Sequence, residues 1–129
     1  MRAHGLNVQA LWDVTRSTLV SKLMYASPVW FGFLNEESKK RCQAVLNRMK
    51  RAGYLGEDFR SFTELCEEAD AGLFKAVISN PDHVMYQLLP PLKNTPYHLR
   101  PRAHNFKLPD VNNNLKKNYI HRMLYSNSY

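Results

Sequence analysis

NEESKKRCQAVLNRMKRAG, from Asn35 to Gly53, carries both ends of a helix and two opposed faces. Asn35 is a helix cap by type, because its side-chain oxygen can accept an orphan N–H of the first turn. Glu36 and Glu37 open the stretch and the cations lie beyond, the distribution that the helix dipole favours. Cys42, Val45, Leu46 and Met49 recur at i, i+3, i+4 and i+7 and form an apolar stripe. Gly53 is a natural C-terminal stop. On the opposite arc lie Lys40, Arg41, Arg48 and Arg51, with Lys50 near its edge. One helix thus has a face to bury and a cationic face to show.

Outward from this helix the chain reads as further helices separated by breakers. Asn7 caps a helix expected to run to about Ala26, with Val8, Leu11, Thr15, Leu19, Leu23 and Ala26 on one stripe and Trp12 beside it. Ser27-Pro28 ends or kinks it, because proline lacks a backbone donor and restricts the residue before it. Ser61 and Glu64 form a capping box that opens a helix to about Ala69. Asp70 is expected to cap the next, which carries Leu73, Phe74, Val77 and Ile78. Asn80-Pro81 opens another with Val84, Met85, Leu88 and Leu89, and Pro90-Pro91 stops it. Lys93 to Asp110 has three prolines and no apolar period, so it is expected to be extended. Asn112 to Asn114 cap a last helix to about Tyr125, with Leu115, Tyr119, Ile120, Met123 and Leu124 inward.

The expected fold is therefore mainly α: a small helical bundle over residues 1–92, then a basic extended Pro-containing segment and a C-terminal helix packed on it over 93–129. The 129 residues suit one compact domain or a fragment of something larger. Two cysteines, Cys42 and Cys66, exclude a disulfide-dense scaffold and point to reduced thiols. The longest apolar stretch, Leu23 to Leu34, contains Ser27 and Pro28 and falls short of the about 20 residues that a membrane span needs. A soluble, intracellular protein is expected, nuclear or cytoplasmic and not secreted.

Charge is patterned. The net charge is +7, yet residues 57–92 carry seven acidic groups against two basic ones. Residues 1–56 carry nine basic against three acidic, and residues 93–129 seven against one. Two basic blocks flanking an acidic one suit a polyanionic partner. Catalytic chemistry finds little support. His98 and His104 have no Cys-x-x-Cys or clustered third ligand nearby, so no metal and no cofactor are expected. No Gly-x-Ser-x-Gly elbow or phosphate loop occurs. Asp58, Asp70 and Asp82 are dispersed, whereas two-metal polymerases and nucleases cluster their carboxylates.

A binding surface remains. Arg100-Pro-Arg102 places two guanidinium groups on a stiff segment among Tyr97, His98, His104 and Phe106, suited to phosphates and exposed bases. Alternatively Tyr97, Leu99, Phe106 and Leu108 pin this arm to the bundle. The candidate phosphate contacts are Lys40, Arg41, Arg48, Arg51, Arg100, Arg102, Lys116, Lys117 and Arg122. The aromatic run at Trp30, Phe31 and Phe33 reads either as ordinary core or as a face that docks a partner protein.

Leu6 through Leu34 (LNVQALWDVTRSTLVSKLMYASPVWFGFL) resembles the segment after the palm of non-LTR retrotransposon reverse transcriptases of the jockey-like kind. The likeness continues through Leu88-Leu89-Pro90-Pro91, Leu99 to Asn105 (LRPRAHN), Leu108-Pro109 and Tyr119 to Tyr125 (YIHRMLY). It implies a helical thumb and the extension behind it, which in such enzymes holds the backbone of a template–primer duplex of RNA or DNA. The family's Phe/Tyr-Ala-Asp-Asp motif, fingers, palm and endonuclease are not found in these residues, nor is a Cys-Cys-His-Cys knuckle. The resemblance thus implies a non-catalytic fragment, for which a palm domain is a further candidate partner.

Overall fold

A computed structural model describes residues 5–94, 96 and 104–126. The chain is mainly helical, and no strand forms among the described residues. Asn7 accepts the Ala10 N–H at 2.7 Å and opens α1 (Val8–Thr15). The helix then widens into a π turn (Arg16–Val20) before α2 (Ser21–Leu23). Ser17 and Thr18 hydroxyls both donate to the Val14 carbonyl, and Ser21 donates to that of Arg16. Hydroxyls competing for these carbonyls loosen the regular ladder, which accounts for the wide turn.

The helix ends three residues before the expected Ala26, which instead sits in the left-handed region at φ 51°. Ser27-Pro28 opens a new element rather than merely ending one. Pro28 lies in the first turn of α3 (Ser27–Trp30), where its missing donor costs nothing. A 3-10 turn (Phe31–Phe33) follows.

Asn35 accepts the Ser38 N–H at 2.8 Å and starts α4 (Glu36–Arg51). At its far end Gly53 takes φ 79°. The Gly53 N–H reaches the Lys50 carbonyl at 3.0 Å and the Tyr54 N–H that of Met49 at 2.9 Å, a Schellman closure. The capping box is reciprocal: the Glu64 N–H donates to Ser61 Oγ at 3.2 Å and the Ser61 N–H to Glu64 Oε2 at 2.9 Å. It opens α5 (Phe62–Ser79), which runs unbroken. Asp70 does not cap a second helix there; its carboxylate is engaged elsewhere, and the alanines beside it sustain the helix.

The chain divides into two compact units, residues 1–27 with 34–68 and residues 28–33 with 69–129. The boundary thus falls inside α5 rather than at Leu92. In the first unit Leu11, Leu46, Leu55, Phe62 and Cys66 are buried. Trp12 Nε1–H donates to the Gly53 carbonyl at 3.2 Å, and the Phe62 N–H finds Gln43 Oε1 at 2.7 Å. These bonds tie α1 and α5 to α4.

The second unit gathers Phe74, Tyr119, Ile120, Met123 and Leu124, with Leu73, Ile78, Met85, Leu89, Phe106 and Leu108 packed against them. Residues beyond Leu92 therefore help build a core with α5. The helix expected after Asn80-Pro81 is replaced by turns and a 3-10 turn (Tyr86–Leu88). Asn80 Oδ1 and His83 Nδ1 accept the N–H groups of Asp82 and Met85, and the backbone closes by i→i+3 bonds. Side chains holding those donors compete with a helix, and Pro90 turns Leu89 extended. An isolated antiparallel bridge joins Leu92 and Phe106. The last helix is two: α6 (Asn113–Lys116), capped by Asn112, and α7 (Tyr119–Ser126).

Candidate nucleic-acid interface

The sequence of α4 sorts its side chains by face. Leu46 is buried, and Cys42 and Met49 are half-buried on either side of it. At about 100° per residue, Lys40, Arg41, Arg48 and Arg51 span an arc of about 100° centred away from Leu46. All four are exposed. Arg41 pairs with Glu37 at 2.6 Å, both side chains open to solvent, so water screens the pair and another anion can replace it. Lys40, Arg48 and Arg51 make no ion pair among the described residues. Lys50 does not border the arc as expected: it lies about 40° from Leu46, is half-buried, and donates to the Phe59 carbonyl at 2.6 Å. The face presents cations at the spacing of a helix surface, with donors able to meet anionic oxygens.

The remaining candidates separate. Lys116 and Lys117 are exposed in the second unit, where Lys116 Nζ lies 5.0 Å from the centre of the Tyr125 ring. Arg100 and Arg102 lie outside the described residues, as do Tyr97, His98 and Leu99. His104 and Phe106 pin the chain rather than face solvent. His104 Nε2–H donates to the Leu124 carbonyl at 2.7 Å, and its Nδ1 accepts the Phe106 N–H at 3.2 Å.

Arg122 is a correction. It is not a free phosphate ligand, because its guanidinium donates to both Asp70 carboxylate oxygens and, at 2.9 Å, to the Pro28 carbonyl. Its side chain is 19% exposed and that of Asp70 5%. The same group lies over the Phe31 and Tyr119 rings, 5.5 and 5.7 Å from their centres. Gly32 passes so close to the Lys117 carbonyl and Arg122 Nε that a Cβ would collide with both. Segment 28–33 is therefore fastened within the second unit. The Tyr119 hydroxyl donates to the Asp70 carbonyl at 2.7 Å. Burial, and secondarily the Asp70 carboxylate, push the Tyr119 phenol well above its ordinary range, against the opposing pull of Arg122.

The aromatic run is split in the same way. Phe31 is covered by Arg122 and Trp30 is half-buried, but Phe33 remains 54% exposed. Among the described residues no three His, Cys, Asp or Glu side chains gather where they could hold a metal ion. No described helix is long and apolar enough to cross a membrane. The sequence pattern did not single out Arg16, although its i+4 relation to Trp12 was the available signal that both share a helix face. No family model, curated protein or solved structure matches the chain.

Proposed function

We propose that this chain grips the sugar-phosphate backbone of RNA or DNA, without sequence preference and without catalysing a reaction on it. In this reading it acts as the thumb part of the reverse transcriptases that it resembles. The observation that carries the reading is the exposed arc of Lys40, Arg41, Arg48 and Arg51 opposite a buried Leu46. A rigid helix holding four cations on one side meets phosphates at little cost in ordering the backbone. Fluorescence anisotropy with a labelled blunt duplex and a labelled single strand tests it. Binding at low salt that weakens steeply as salt rises is expected, and no binding to either probe at low salt would overturn it.

A second reading is supported by the exposure of Phe33 and Val29 on segment 28–33. There the segment docks a protein, a palm domain included, through Phe33 and the open part of Trp30. Replacing Phe33 with serine would then abolish a protein contact that survives nuclease treatment.

A further inference from the structure

Three neighbouring hollows that share lining residues make up a groove around the C-terminal end of α4 in the first unit. One stretch is lined by Asn47, Lys50, Arg51 and Glu57. The next shares Lys50, Arg51 and Glu57 and adds Trp12 and Asp58. The most enclosed stretch keeps Trp12 and Asp58 and ends among Arg16, Phe59 and Arg60. Its volume is about 230 Å³. Sites for drug-sized molecules take roughly 300–1,000 Å³, so this one suits a single ring system.

The groups lining it are of three kinds. The Trp12 indole is fixed by its bond to the Gly53 carbonyl. The Arg16 guanidinium lies over the Phe59 ring, 5.6 Å from its centre, and makes no ion pair among the described residues. Arg60 is tied to Glu68. The Asp58 carboxylate folds over Gly56, its Oδ1 only 2.7 Å from where a Cβ there would stand, and it too has no ion pair among the described residues. An indole, a guanidinium over an aromatic ring and an uncommitted carboxylate around a cavity sized for one fused ring system match an unpaired nucleobase. Bases outside a duplex stack on aromatic and guanidinium planes and are read at their Watson–Crick edges.

We infer that this pocket takes one unpaired purine, guanine before adenine, at the end of a strand whose phosphates lie along α4. The inference rests on the proposed backbone binding, and Arg51 links the two because it belongs both to the cationic arc and to the groove. The purine stacks against Trp12 and Arg16. Asp58, acceptor-only when ionised, takes the adjacent N1–H and N2–H donors of guanine, a pair that the other common bases do not present. Pyrimidines cover less of the stacking surface.

Anisotropy titrations of the full chain with a labelled blunt duplex, and with the same duplex extended by one unpaired dG, dA or dT, test this. The dG extension is expected to tighten binding at least about fivefold, the low end of one base stacked on an aromatic ring, with dA next and dT least. Asp58→Asn is expected to erase the difference between dG and dA, and Arg16→Ala to reduce the gain from either. Binding to the blunt duplex with no gain from any extension overturns the inference alone. An equal gain for all three extensions overturns the assignment to guanine. No binding to any probe at low salt overturns the backbone reading along with it.

Discussion

Replacing Arg122 with alanine removes a guanidinium with five engagements: two Asp70 oxygens, the Pro28 carbonyl and two aromatic rings. Because the Asp70 side chain is 5% exposed, its carboxylate is left without a counter-charge where water barely reaches. Breaking a buried pair from one side costs about 3–5 kcal/mol. The lost bond to Pro28 adds about 1 kcal/mol. A chain of this length is stable by about 6–19 kcal/mol in total, so this single change consumes a large share. Removing both charges together, with Asp70→Leu and Arg122→Met, is expected to restore most of the loss, since apolar groups of similar volume need no partner. Urea unfolding followed by far-UV circular dichroism reads the difference as the transition midpoint. The expected order places the double variant near the wild type and Arg122→Ala far below. If Arg122→Ala stays within about 1 kcal/mol of the wild type yet loses nucleic-acid affinity, the side chain is a phosphate ligand and the buried-pair reasoning fails.

Three smaller changes test the fold elsewhere. Gly72 lies inside α5 with nothing near its missing Cβ, so Gly72→Ala is expected to stabilise by about 1 kcal/mol in the same urea assay. Ala26 holds φ 51°, and Ala26→Gly is expected to raise the midpoint by the equivalent of about 0.5–1 kcal/mol, relief of left-handed strain less the added chain entropy. Tyr119 sets an alkaline limit. The unfolded phenol releases its proton near pH 10.0 and the folded one only above that, so its contribution is whole below pH 10.0 and falls as pH rises beyond it. Tyr119→Phe is expected to cost about 1 kcal/mol at neutral pH, for the lost bond to the Asp70 carbonyl, and to flatten this alkaline decline in urea midpoints.

What the sequence revealed divides by distance along the chain. Asn7, Asn35 and Ser61 cap helices, and Gly53 closes one, because each acts on backbone groups within a few residues. The two faces of α4 were legible for the same reason, although Val45, expected on the apolar stripe, is 40% exposed. Asp70 reads locally as a cap, but its partner Arg122 lies 52 residues away, so neither the unbroken α5 nor the burial of Arg122 could be read from spacing. That pairing also takes one cation out of the candidate surface. Asn80-Pro81 carries the signals of a helix start, yet only eight residues separate Pro81 from Pro90, and side-chain bonds take their donors. The π turn arises where Ser17, Thr18 and Ser21 hydroxyls donate to backbone carbonyls three to five residues back, a competition that apolar periodicity does not show. The groove depends on α1 meeting the end of α4 through Trp12, a contact across 41 residues.

The salt dependence of duplex binding, compared between the wild type and a variant with Lys40, Arg48 and Arg51 all changed to alanine, tests the central claim most directly. These side chains are exposed, so the variant is expected to keep the wild-type circular dichroism spectrum. For B-DNA the slope of log affinity against log salt is about −0.9 per phosphate neutralised, so the variant's slope should be shallower by about 2.7, with weaker binding at low salt. An unchanged slope and unchanged affinity would contradict the assignment of the α4 face as the surface that holds the strand.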